Sequence, residues 1–324
     1  MSRRGGWTRL GSRRFRYLDA HGERIDDEEA LERIRELAIP PAWRDVWISP
    51  NPRAKLQATG VDAAGRRQYL YHESFRAAQE QAKFARLLHF AAGLPEMRAR
   101  TREHLRLGPY ERDWACAIAV SLVNHAWFRV GTERHTRSSR TRGITTLTKR
   151  HVTISGDEIA FRFRTKNRKL VRRTVANPVL ARELGELVAL ENGARLFRYE
   201  REGEYFNLTA PQLNEYIGEH LGDGFTAKDF RTWGGTLLAS VELAKRGPAA
   251  SEPEAKRVLA GVMKKVAEEL GNTPSVTRSS YVSPVVVEHY LAGRTLEDFR
   301  TRSRRPARLT ADERALLRLL RSRR

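Results

Sequence analysis

The chain has 324 residues, 40% hydrophobic and 31% charged, which is enough apolar content to bury a core and argues against wholesale disorder. Lys and Arg number 60 against 39 Asp and Glu, and the resulting net charge of +21 favours a polyanionic partner. No apolar run approaches the about 18 residues of a membrane span, no apolar core follows the basic N-terminal residues as a secretory signal requires, and the single Cys116 leaves no disulfide framework or thiolate zinc cage. The expectation is a soluble protein of a reducing, cytoplasmic compartment.

The basic charge is concentrated. Residues Trp127 to Arg173 hold 14 basic and three acidic residues, and Arg300 to Arg324 hold ten Arg against Asp312 and Glu313. The first 20 or so residues lack periodicity and read as a loose arm. Asp26-Asp27-Glu28-Glu29 opens a short helix with Ala30, Ile34 and Leu37 on one face, ended by Pro40-Pro41. WRDVWISP and KLQATGVDAAGRRQYLYH alternate as strands, with turn chemistry at Asp62 to Gly65, and helical composition returns from Glu73. A domain boundary is expected between 72 and 95, and is placed at 78/79.

Beyond it helices dominate. Trp114 to Trp127 is apolar on nearly every face, as in a buried central helix. His151 to Val175 interrupts the pattern as a three-stranded meander, with Ser155-Gly156-Asp157 and Thr165-Lys166-Asn167 as its turns. Thr226 caps the next helix with Asp229 in the capping-box position and Leu237, Leu238 and Val241 on the buried side. A further helix through Leu259 and Val266 ends at Gly271, and Ser283-Pro284 opens another. The fold class is therefore α+β: a small N-terminal antiparallel β-sheet domain with helices (1–78), then a mainly α-helical domain containing the three-stranded meander (79–324) and ending in an Arg-rich C-terminal tail.

The nine His and Cys116 show no metal-ligand spacing, and phosphate-loop and dinucleotide fingerprints are missing, so no metal and no cofactor is expected. What remains is phosphate chemistry by cations. Arg129 follows the buried helix, Lys166 sits at the tip of the meander, and Arg231 falls in the first turn of the Thr226-capped helix, where free N–H groups favour an anion. Asn272 lies 41 residues after Arg231, and Tyr281 nine residues after Asn272.

This order of Arg129, Lys166, Arg231, Asn272 and Tyr281, set in FRVGTE, GITTLTKRHV, TKN, KDFRTW and ELGN, resembles the type IB DNA topoisomerases, in particular the small two-domain enzymes of poxviruses and bacteria. WISPNPRAKLQATGVDAAGRRQYLYH is similar to the first domain of that family, and the likeness spans about residues 20–300. The resemblance implies that Tyr281 attacks a DNA phosphodiester to give a 3′-phosphotyrosyl ester, that Arg129 and Arg231 hold the non-bridging oxygens, and that Lys166 protonates the departing 5′-oxygen. Many members carry His where this chain has Asn272; an amide can donate a hydrogen bond there but cannot transfer a proton.

By the same resemblance Arg66, Arg67, Gln68, Tyr69 and Tyr71 lie on the sheet that faces the major groove; Arg134, Arg137, Arg140 and Arg142, in the loop expected after Arg129, are placed to touch backbone phosphates without specificity. The implied partner is double-stranded DNA, clamped by a monomer that nicks, swivels and reseals it without ATP or metal. The Arg-rich tail from residue 303 onward is expected to add to DNA affinity without belonging to the active domain. Two rivals differ: a tyrosine recombinase, which places His where Lys228 and Thr232 stand here, and a non-catalytic DNA-binding protein, which has no need of all five site positions.

Overall fold

The computed structural model describes residues 5–12, 14–109, 111–191, 193–301 and 308–322. It divides into two units, Met1–Lys83 and Phe84–Arg324.

The first unit is built on a five-stranded antiparallel sheet ordered β2-β1-β3-β4-β5. Its strands are β1 (Trp7–Leu10), β2 (Arg16–Leu18), β3 (Arg44–Ile48), β4 (Leu56–Val61) and β5 (Arg67–Tyr71), with helix α1 (Glu28–Glu36) between β2 and β3. Asp27 caps α1 by accepting from the Ala30 N–H, and Ile34 packs with Ile39, Val46, Ile48 and Ala58 as a small core. The N-terminal stretch read as a loose arm is instead the β1–β2 hairpin, paired to β3 through Trp7 and Ile48. A long-range contact explains the difference: the buried Arg9 guanidinium donates to the carbonyls of Ile39, Pro40 and Trp43, at 2.7 Å for the last. These pairings fix the strand although its own sequence has no alternation.

The second unit begins within the long helix α2 (Glu73–His104) and is arranged around α3 (Arg112–Ala126), whose residues from Trp114 to Val120 are all buried. After α3 come α4 (Glu133–Ser139), the meander β6 (Val152–Ser155), β7 (Glu158–Arg164) and β8 (Leu170–Ala176), and α5 (Pro178–Ala189). A two-stranded ribbon, β9 (Arg198–Arg201) and β10 (Glu204–Asn207), leads to α6 (Ala210–Leu221) and α7 (Ala227–Arg246). The chain then folds into α8 (Glu252–Leu270), α9 (Pro274–Ser280), α10 (Pro284–Leu291) and α11 (Ala311–Arg321).

In β7 the side chains of Ile159, Phe161 and Phe163 are buried while Ala160, Arg162 and Arg164 face out, so the sheet turns its apolar side to the core. Helix α7 differs from its sequence reading. Its deepest positions are Phe230, Trp233, Gly234, Gly235, Thr236 and Ala239, while Leu237, Leu238 and Val241 are only half-buried. The small residues let α7 approach its neighbours so closely that it is enclosed on several sides.

The C-terminal region also departs from expectation. Residues 302–307 and the last two Arg lie outside the described residues, but α11 is part of the core of this unit: Leu316 and Leu319 are fully enclosed, and buried Glu313 pairs with Arg98 at 2.7 Å. Glu313 also completes the Thr310 capping box. In sequence Leu309, Leu316, Leu317, Leu319 and Leu320 allow a short helix there, but nothing local announces that it packs into the core. Glu313→Ala is accordingly expected to destabilise the protein by about 2–4 kcal/mol, through the lost cap and the stranded Arg98. Chemical denaturation measures this, and an unchanged midpoint would mean that α11 contributes nothing to the fold.

Candidate active site

Arg129 stands on an unusual stretch of backbone. Trp127 ends α3 with a left-handed φ of 52°, which turns its carbonyl back under the helix. The following segment is clasped by the GITT stretch: the Ile144 N–H donates to the Arg129 carbonyl at 2.7 Å and the Thr145 N–H to that of Val130 at 2.9 Å. Gly131 and Gly143 meet so closely there that a Cβ on Gly143 would fall 2.4 Å from the Gly131 nitrogen. These contacts give FRVG and GITT, 15 residues apart in sequence, one structural purpose.

The C-terminus of α8 gathers the cations. Gly271 takes the left-handed conformation, and the Asn272 N–H bonds back to the Ala267 carbonyl at 2.8 Å, as a helix-ending glycine turn does. Four successive carbonyls then point outward, where the negative end of the helix dipole favours positive charge. Glu269 O accepts from Arg173 at 2.6 Å, Leu270 O from Arg231 at 2.7 Å, Gly271 O from Arg129 at 3.4 Å and Asn272 O from Lys169 at 2.7 Å. Arg129 also donates to the Asn272 Oδ1, and Arg231 to the Trp127 carbonyl. Like charges are thus held together by fixed backbone dipoles and, for Arg173, by an ion pair with the Glu269 carboxylate.

Tyr281 closes the cluster. It follows α9, its carbonyl accepts from the Thr236 hydroxyl at 3.2 Å, and its ring lies 5.2 Å from the Arg231 guanidinium carbon. Gly235 of α7 makes room for it, since a Cβ there would lie 2.8 Å from the Tyr281 carbonyl oxygen. Arg231 is 4% exposed and Tyr281 7%. Burial pushes the Tyr281 phenol up, but Arg231, Arg129 and a hydrogen bond to Arg231 outweigh it and hold the phenol below its ordinary value. The Arg231 guanidinium is lowered to about 10, by burial and then by Arg129.

A cavity of about 300 Å³ beside this cluster is lined by Arg129, Arg231, Arg173, Lys169 and Thr165. Four buried donors of the cluster have no protein acceptor among the described residues: the Nε of Arg129, Arg173 and Arg231, and the Asn272 amide nitrogen. A buried unmade hydrogen bond costs roughly 1–3 kcal/mol, so four together describe a site that wants an acceptor-rich, negatively charged group.

Four of the five residues singled out in the sequence therefore meet. Lys166 does not touch them. It is exposed on the turn joining β7 to β8, which the Thr165 N–H closes on the Lys169 carbonyl at 2.9 Å, and no hydrogen bond or ion pair engages its ammonium among the described residues. Arg231 is the fifth residue of α7, beyond the first turn where it was expected, and works through its side chain. Lys169, Arg173 and the Gly234-Gly235 pair were not singled out. A double glycine inside a capped helix was the one available signal for the last, because a Cβ on Gly234 would strike the Trp127 ring.

In the first unit, Tyr69 is 52% exposed and stacks with Tyr71 at 6.2 Å, Tyr71 meets Phe75, and the Lys55 ammonium lies 4.1 Å from the Phe75 ring centre. Arg67 is exposed; Arg66 pairs with Asp62 at 2.7 Å, and the Gln68 amide donates to the same carboxylate at 2.8 Å. Arg134 and Arg137 lie on α4 and Arg140 just beyond it, all exposed, whereas Arg142 is half-buried and donates to the Thr146 carbonyl. The described His, Cys, Asp and Glu residues form one group with metal-ligand proximity, His104, Asp113 and His220, and it includes none of the five site residues.

Fold and site define a protein with a basic, donor-rich cavity beside a buried, acidified tyrosine. Residues 72–294 match the family model for the eukaryotic DNA topoisomerase I catalytic core, and residues 14–62 that for the bacterial DNA topoisomerase IB N-terminal domain. The chain is 33% identical to DNA topoisomerase 1B of Acanthamoeba polyphaga mimivirus over 286 residues, 85% of this chain and 84% of that one. It is 24% identical over 271 residues to DNA topoisomerase I of Monkeypox virus and to DNA topoisomerase 1B of Vaccinia virus (strain Copenhagen), covering 81% of this chain and 82% of each relative. The chain belongs to the type IB DNA topoisomerase family.

Proposed function

We propose that this protein relaxes supercoiled duplex DNA by cutting one strand, allowing rotation and resealing the same bond. Tyr281 Oη attacks the scissile phosphorus; the bond to the 5′-oxygen breaks and a 3′-phosphotyrosyl ester remains. The phenol proton is lost to solvent, and Lys166 supplies the proton that the 5′-oxygen takes up. Arg129, Arg231 and Asn272 hold the non-bridging oxygens, where charge gathers in the transition state. Resealing is the reverse step, and the ester conserves the bond energy, so no ATP is consumed.

The observation that carries this reading is the set of unpaired buried donors on Arg129, Arg231 and Asn272 next to a tyrosine whose phenol is lowered by the same two guanidiniums. Fixed guanidinium forks do for a phosphorane what a metal ion does elsewhere. Asn272 contributes a donor only, so its role is contact with an oxyanion. The exposed Arg67, Tyr69 and Tyr71 in the first unit and, separately, the exposed Arg134, Arg137 and Arg140 in the second offer aromatic and cationic groups of the kind that contact a duplex.

Relaxation is expected to go to completion on both positively and negatively supercoiled plasmid, in EDTA and without nucleotide. Agarose gels read the result. A strict need for magnesium or ATP would overturn the metal-free mechanism.

A further inference from the structure

A second cluster in the helical unit has no part in that mechanism. We infer that His104, Asp113 and His220 form a binding site for a single zinc-like divalent transition-metal ion. The three residues come from three helices: His104 is the last residue of α2, Asp113 the second of α3 and His220 the penultimate residue of α6. One ligand atom from each lies within 4.8 Å of the others.

Each side chain is prepared for ligation. The His220 Nε2 is buried and has no hydrogen-bond partner among the described residues, a donor-acceptor position that a metal satisfies. Asp113 divides its carboxylate: Oδ1 takes Arg112 at 3.3 Å, while Oδ2 faces His104 Nδ1 at 3.9 Å, too long for a hydrogen bond. His104 is oriented through that same Nδ1 by the Tyr216 hydroxyl at 2.9 Å, which leaves Nε2 as its ligating atom, and its ring packs edge-on against His220 with centres 5.2 Å apart. A metal-bound imidazole is generally held through its other ring nitrogen, the position the Tyr216 hydroxyl takes when Nε2 ligates.

The ligand set indicates the metal. Two imidazoles and one carboxylate suit zinc, with nickel and copper as competitors, and three protein ligands leave a position for water. Two atoms bound tetrahedrally to one zinc sit about 3.4 Å apart, so the side chains close by about 1 Å on binding. Bound metal ties the ends of α2 and α6 to the start of α3, the helix around which the unit is arranged. The ion is thus a brace for the fold, and the chemistry at Tyr281 does not need it.

Zinc chloride alone, titrated calorimetrically into the full chain, is expected to bind at one per chain and to raise the melting temperature. Cobalt chloride is expected to give the visible absorption of imidazole-ligated cobalt. His220→Ala and Asp113→Asn should each weaken binding at least about tenfold; the second keeps size and shape, so loss of binding there is not a failure to fold. His125→Ala, which changes a histidine outside the cluster, should bind as wild type does. Absence of saturable binding to the wild-type chain would overturn the site, and so would unchanged affinity in both cluster variants. Relaxation in EDTA bears on the topoisomerase reading and not on this one.

Discussion

Tyr281→Phe is expected to bind duplex DNA with the affinity of the unaltered chain and to form no covalent adduct at all. Only the attacking oxygen leaves; the ring that lies on Arg231 and the carbonyl that accepts from Thr236 both remain. Denaturing gels of the enzyme with labelled DNA read the adduct, and salt-matched binding curves read the affinity. The competing residue is Tyr290 on α10, which is 2% exposed and whose phenol burial pushes up, the opposite of Tyr281. An adduct mapped to Tyr290 in the Tyr281→Phe variant would overturn the assignment. The lowered phenol also fixes a sign. A free phenol ionises near about pH 10; with Arg231 and Arg129 favouring the phenolate, single-turnover cleavage should rise with pH and level off below that value. A profile still rising beyond it would mean that the two guanidiniums do not act on the nucleophile.

What could be read from the sequence had local causes. Caps and turns are written in a few adjacent residues, so Asp27, Thr226 with Asp229, Gly271 and the Ser155-Gly156-Asp157 turn stand where their chemistry puts them. The period-2 run from Ile159 to Phe163 likewise forms the strand it announces. Elements fixed by distant partners were not legible. The β1–β2 hairpin depends on carbonyls some 30 residues from Arg9, and the docking of α11, whose leucines do allow a short helix, depends on Arg98, 215 positions before Glu313. The site divides in the same way. Spacing and resemblance single out Arg129, Arg231, Asn272 and Tyr281, which meet in the structure, but nothing local announces that four cations share the carbonyls at the end of α8 and just beyond it. Lys169 and Arg173 reach that helix end because of the register of β8 against β7, which pairs Phe161 with Arg173 and Arg164 with Leu170.

Lys166→Ala is expected to slow single-turnover cleavage by about 10²–10⁴-fold, the usual effect of losing a general acid. The structure sharpens this test, because it is Lys169 whose ammonium touches the cluster, on the Asn272 carbonyl, while the exposed Lys166 on the same turn has no partner among the described residues. A lysine already bound to a backbone carbonyl serves best to hold the hairpin against α8. A lysine with no protein partner is able to meet the leaving oxygen when DNA is present. The two roles separate on a substrate whose bridging 5′-oxygen is replaced by sulfur, since a thiolate departs without a proton. Most of the rate lost in Lys166→Ala should return on that substrate. Lys169→Ala should be slow on both substrates, as should Arg231→Ala, whose contact is with non-bridging oxygens. Rescue of Lys169→Ala and not of Lys166→Ala would exchange the assignments and make the lysine on the Asn272 carbonyl the acid.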